Sequence, residues 1–155
     1  MRLGQRPLAL VLALCWTSAA LSADLQHARS LVDQQRYPEA IAEFELLVQA
    51  SPTNADLLIE AARVNAWADR HADAAALYQQ AIAVAPARRA DVVLPLAWQL
   101  AWDNRHREAM PLFIEASTKA AQQTEALHGL AASQVATNQL PEALATYQAL
   151  SAQGA

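Results

Sequence analysis

Two histidines recur at matched places in this chain. The segments AWADRHADAAALY (66–78) and AWDNRHREAMPLF (101–113) share six identical positions and set His71 and His106 35 residues apart. Imidazole is the commonest metal ligand and the side chain most often used for proton transfer at neutral pH, so both chemistries must be weighed first. Zinc ligation needs ring nitrogens within about 2.1 Å of one ion. Equivalent residues of neighbouring packed helices instead lie about 8 to 10 Å apart, so the recurrence predicts a packing role for both histidines. The carboxylates are no more promising. Glu39 and Glu43 are spaced i, i+4 with Glu45 close by, a pattern that places charge on a solvated helix face more readily than it builds an acid–base pair. The chain has no H-E-x-x-H, no cysteine pair, no glycine-rich phosphate loop and no G-x-S-x-G, so no catalytic residue, metal site or cofactor is expected.

Composition points to the elements that must carry any remaining function. The 155 residues are 54% hydrophobic but contain only 3 glycines, and much of the apolar content is alanine, which favours helices over strands. Residues 1–23 are set aside as a secretory leader. MRLGQR supplies two arginines, PLALVLALCW an apolar run and TSAALSA a stretch of small residues, with cleavage expected after Ala20, Ser22 or Ala23. The apolar run is too short to span a bilayer, which takes roughly 20 such residues. Leu14 stands where a lipid-attachment motif before Cys15 needs a small residue, so a lipoprotein is not expected. Cys15 is the one cysteine, which lets the processed chain fold without disulfides in an oxidising compartment. Without Arg2 and Arg6, nine basic residues face fifteen acidic ones, a balance that disfavours nucleic acid and anionic membrane surfaces as partners.

The histidine echo belongs to a longer series. Tyr37, His71, His106 and Leu140 are each followed three residues later by alanine (Ala40, Ala74, Ala109, Ala143) and four after that by an aromatic residue (Phe44, Tyr78, Phe113, Tyr147). Spacings of three and four return to one helical face, predicting helices over about 38–50, 72–84, 107–120 and 141–151. A second helical pattern precedes each, at about 24–35, 55–68, 91–103 and 124–137. The repeats therefore run over about 21–54, 55–88, 90–123 and 124–155, within one all-α domain of 24–155. Pro52 and Pro86 close second helices, and Asn54 is placed to cap the helix that follows. Pro95 is expected in the first turn of its helix, whereas Pro111 lies deeper and should kink its helix or shift its start.

On these residues the chain resembles the tetratricopeptide repeat family. Alanine fills the small position 8 (Ala28, Ala62, Ala97, Ala131) and position 20 in all four repeats, and position 24 is always Tyr or Phe. The departures are at position 17, where histidine twice and leucine once replace the usual aromatic, and in one additional residue within PARRADVV. The resemblance implies an α-solenoid of four helix-turn-helix repeats wound as a right-handed superhelix, since a hairpin of this kind cannot bury its own apolar face alone. It also implies that first helices line a concave groove. The groove positions are then Arg29 and Asp33, followed by Ile59, Arg63 and Trp67, then Leu94, Trp98 and Trp102, and finally His128 and Ala132. Trp and Arg are the residues most enriched at binding hot spots. Two readings of the tryptophans stay open, groove lining and filling of the wedge between first helices, with Trp67 and Trp102 the better groove candidates.

The function expected from this resemblance is a non-enzymatic scaffold for protein–protein interaction in the cell envelope, holding a peptide or protein partner in the Trp- and Arg-lined groove. Exported repeats bearing tryptophan are similar to periplasmic segments of exopolysaccharide-export and outer-membrane assembly proteins. A single lysine, Lys119, lies outside the implied groove, which argues against a clamp for C-terminal carboxylates. The alternative is a carbohydrate-binding accessory protein whose tryptophans stack on a glycan. Repeat stacks usually end in a polar cap, and this sequence stops at YQALSAQGA, so either that flank is polar enough or it docks on another copy in end-to-end self-association, on a partner, or on residues missing from this chain.

Overall fold

The computed structural model describes residues 22–153. Except for Ser22 and Ala23, the expected leader, with Cys15, lies outside the described residues. The described chain is all helix and turn. Helix α1 covers 22–33, α2 Tyr37–Ala50, α3 Ala55–Trp67 and α4 His71–Val84. A 3-10 turn, Pro86–Arg88, leads straight into α5, Arg89–Trp102. Then come α6 His106–Ser117, α7 Gln123–Ala136 and α8 Leu140–Gln153. The chain divides into two compact units, the boundary falling between Pro52 and Thr53.

The first unit contains α1 and α2. Its buried apolar residues are Ala28 and Leu31 on α1 with Ala40, Ile41, Phe44 and Leu47 on α2. In the second unit, hairpins α3–α4, α5–α6 and α7–α8 follow one another, with α4 packed on α5, α6 on α7, and α5 beside α7. Alanine makes this spacing possible. Ala62, Ala97 and Ala131 on first helices, and Ala74 and Ala109 on second helices, are fully buried, and Ala143 is nearly so. A larger side chain at these places would push the helices apart, at a cost of about 1 to 3 kcal/mol for overpacking. Ile59 and Leu94, expected on the groove, are instead buried in this core at 3% and 5% exposure. Both lie on the side of the helix that meets its neighbours.

The repeat is also written in the backbone. Gln35, Asp69, Asn104 and Asn138 all have positive φ, between 57° and 61°, and recur at the same 34- or 35-residue intervals. Each ends a first helix. The next residue donates its N–H five residues back, as in Arg70 N–H to Asn65 O at 2.9 Å and Arg105 N–H to Leu100 O at 2.8 Å. This left-handed terminator satisfies carbonyls that the helix end leaves open. The arginine after it then pairs three residues on, Arg36 with Glu39, Arg70 with Asp73 and Arg105 with Glu108, at 3.1, 2.8 and 2.8 Å. Asn54 caps α3 as expected, accepting from Leu57 N–H at 3.2 Å.

Pro95 lies deeper in its helix than expected, and Pro111 sits inside an unbroken helix. Helix α5 begins at Arg89, because Pro86–Arg88 already turns the chain, so Pro95 lies beyond the first turn. Pro111 neither delays nor ends α6, which starts at His106 and runs through it. That helix stops at Ser117, short of the expected 120. There the Ser117 and Thr118 hydroxyls donate to the carbonyls of Ile114 and Glu115, each at 2.8 Å, and so compete with continued helical bonding.

Candidate functional site

The terminator after α3 brings the end of that helix against the start of α4 and the exposed edge of α5. Between them lies an open pocket of about 580 Å³ lined by Arg63, Trp67, His71, Tyr78, Gln99 and Trp102, with Ala66 and Asp69 at its edge. Three residues expected on the groove, Arg63, Trp67 and Trp102, therefore meet in one place. Trp67 and Trp102 are 55% and 57% exposed, so both indoles present apolar surface to solvent at this pocket.

Trp102 is held in position from two sides. Trp98 stacks on it at 5.4 Å between ring centroids and 25° between planes, and His71 lies against it at 5.3 Å and 42°. Trp98 in turn meets Phe113 edge-on at 5.0 Å and donates its Nε1–H to Glu125 Oε1 at 3.0 Å. It is half-buried, so of the three tryptophans this one takes the wedge-filling role and supports the pocket from behind.

The remaining lining is polar. His71 Nδ1 stands 3.0 Å from Gln99 Oε1. An amide oxygen can only accept, so in this contact Nδ1 carries the proton. Asp69 Oδ1 is 3.9 Å from Nε2. Burial pushes the Tyr78 phenol above its ordinary range, opposed in part by the charge and hydrogen bond of Arg63. The pocket thus combines indole faces with a guanidinium, an imidazole, an amide and a phenol, a set suited to gripping a ligand. Among the described residues there is no cluster of three His, Cys, Asp or Glu side chains placed for a metal ion.

The other expected groove residues lie elsewhere. His128 and Ala132 are exposed on α7 and line no part of this pocket. Arg29 and Asp33 are exposed on α1 in the first unit. Sequence reasoning treated His71 as packing alone and did not single out Gln99. Its packing on Trp102 is real, but the same ring also lines the pocket, and the recurrence of the A-W-x-x-R-H segment was the available signal.

Solved structures with similar architecture identify the fold. MamA MSR-1 C2 superimposes with a TM-score of 0.76 at 17% identity, covering 87% of this chain and 79% of that one. YrrB, described as a TPR protein with an unusual peptide-binding site, gives 0.68 at 18% identity over 84% of this chain and 66% of its own. A kinesin light chain from Podosopora anserina with nearly identical TPR-like repeats gives 0.68 at 21% identity, over 85% and 74%. The chain has the tetratricopeptide repeat fold. No protein-family model matches the sequence, and no curated protein does. In tetratricopeptide numbering the pocket is built from positions 9, 12, 13, 15, 17 and 24 of the second repeat together with 10 and 13 of the third. It therefore reaches from the first-helix groove over the turn between the two helices. No described helix is long and apolar enough to cross a membrane.

Proposed function

We propose that this protein is a non-enzymatic interaction module that holds a peptide segment of a protein partner in the Trp67–Trp102 pocket, and that its leader exports it to the periplasm. The observation that carries the reading is the pair of tryptophans, each more than half exposed at one pocket. An indole can bury roughly 150 to 250 Å² on contact, and such residues dominate measured binding energies. The peptide-binding site named for YrrB supports a peptide ligand for a module of this fold. Envelope assembly or polysaccharide export is the setting that an exported scaffold of this kind suits.

The test is capture of partners from envelope extracts with the processed wild-type protein and with Trp67→Ala/Trp102→Ala. The double variant should lose the partner while keeping its helicity and melting temperature. Retention of the same partner would refute the pocket, and collapse of the fold would make the indoles core residues. Fractionation should recover a periplasmic form whose amino terminus follows Ala20, Ser22 or Ala23.

A second reading rests on the same exposed indoles, which also suit stacking on pyranose rings. Quenching or blue shift of tryptophan fluorescence on adding oligosaccharides, with no protein captured, would replace the peptide by a glycan.

A further inference from the structure

A second pocket, of about 480 Å³, lies where α5 turns into α6 and α7 turns into α8. It is made by the corresponding turn of the next repeat. His106 occupies the place of His71, Asn104 that of Asp69, Arg105 that of Arg70 and Ala136 that of Trp102. The comparison shows how the chemistry changes over one repeat. The aromatic wall is gone with Ala136, and the carboxylate at the turn has become an amide. Position 18, alanine at Ala72, becomes Arg107, and the residue following Ala136 is Thr137 where Asp103 follows Trp102.

Charge pairing within the pocket leaves one cation over. Arg105 is matched by Glu108, with two contacts of 2.8 Å, and lies 3.7 Å from Asp103. Arg107 is exposed, lines the pocket and enters no ion pair among the described residues. With the Glu108 carboxylate taken up by Arg105, the Arg107 guanidinium stands beside Asn104, Thr137 and Asn138 with its donors free among the described residues, and its planar fork fits a carboxylate.

We infer that this second pocket binds a carboxylate side chain of the same peptide whose apolar or ring residue sits in the tryptophan pocket. This rests on the peptide reading above. Neighbouring first helices pack about 8 to 10 Å apart, and α5 lies beside α7. An extended chain advances about 3.3 Å per residue, so the acidic residue and the ring residue stand about three positions apart, in either order. The partner class is a segment with an aromatic or prolyl residue and a Glu or Asp at that spacing.

Two measurements test this on the whole processed protein. The first reads the second pocket alone: N-acetyl-glutamate amide is titrated while Arg107 Nε and the Asn104 and Asn138 amides are followed by NMR. Saturable shifts are expected, absent with N-acetyl-glutamine amide and absent in Arg107→Ala, which should keep the wild-type circular dichroism. Equal shifts with the glutamine compound, or shifts that persist in Arg107→Ala, would overturn the anion site whatever becomes of the peptide reading. The second measures anisotropy of labelled, end-blocked glycine-serine peptides with one Trp and one Glu at separations of one to six. Affinity should peak near a separation of three, by about tenfold, and the peak should vanish in Arg107→Ala while dependence on Trp67 and Trp102 remains. Binding that depends on those tryptophans at every separation alike would leave the peptide reading standing and remove this inference. Saturable glutamate shifts with no peptide bound at all would do the reverse for the first pocket, and would remove the inferred link between the two.

Discussion

His71 and Trp102 come from different repeats, yet their rings stand 5.3 Å apart, and His71 Nδ1–H reaches Gln99 Oε1 on the same helix as Trp102 at 3.0 Å. One imidazole thus fastens the start of α4 to α5 through both a ring contact and a hydrogen bond. The pocket wall and the repeat junction are therefore one structure. A substitution at this junction acts on binding and stability together, unlike a change at the indole of Trp67.

Gln99→Leu tests the hydrogen-bonding half of that junction. It keeps the side-chain bulk and leaves the partly exposed His71 Nδ1–H without its acceptor, which should cost about 0.5 to 1.5 kcal/mol. Urea denaturation should show the midpoint falling with an unchanged slope. The tryptophan emission of the folded state should change as well, because Trp102 loses its support. An unchanged midpoint would mean that the 3.0 Å contact contributes nothing.

Gly129→Ala tests a close approach between α6 and α7. A Cβ at Gly129 would overlap the Phe113 ring, and Phe113 is fully buried. The ring cannot swing clear into solvent, so the variant should lose about 1 to 3 kcal/mol through overpacking. Phe113→Leu in the same chain should recover part of that loss relative to the sum of the two single changes. Purely additive losses would show that the two sites do not touch.

Gln35→Gly tests the helix terminator. Asparagine tolerates the left-handed region, but glutamine does not share its short side chain, and Gln35 sits at φ 58°. Glycine should stabilise the protein by about 0.5 to 1 kcal/mol, after allowing for the greater freedom it gives the unfolded chain. Thermal melting should rise accordingly, and a fall would show that the glutamine side chain contributes more than the strain it carries.

Acid stability should depend on the Arg89–Glu115 pair. Arg89 donates to both carboxylate oxygens of Glu115, at 2.8 and 2.6 Å. Its hydrogen bonds, and then its charge, hold the Glu115 carboxyl below its ordinary value. The folded pKa lies below the unfolded one, so the pair's contribution is complete above the unfolded value near 4.5 and disappears as pH falls through the folded value. Glu115→Gln should lower stability at pH 7 and flatten the decline below about pH 4.5. Because both side chains are more than a third exposed, the effect at pH 7 should be within about 1 kcal/mol. A decline as steep as the wild type's would assign acid sensitivity to other carboxylates.

Much of this architecture could be read from residue order because a repeated pattern constrains it many times over. Alanine at positions 8 and 20, with Phe or Tyr four residues beyond the latter, recurs often enough to specify helix type, approximate ends and the buried stripe, since 3.6-residue periodicity leaves little choice of face. Places where the reading missed involve contacts between elements. Ile59 and Leu94 went to the core because the facing helices cover them, and Pro95 lies deeper than expected because a 3-10 turn started α5 early. The shared repeat position of Trp67 and Trp102 marks them as the more exposed pair, but nothing in the order of residues indicates that Trp98 stacks on Trp102 or that Gln99 meets His71. Those outcomes depend on the distance and rotation between hairpins, quantities a single helix pattern does not contain.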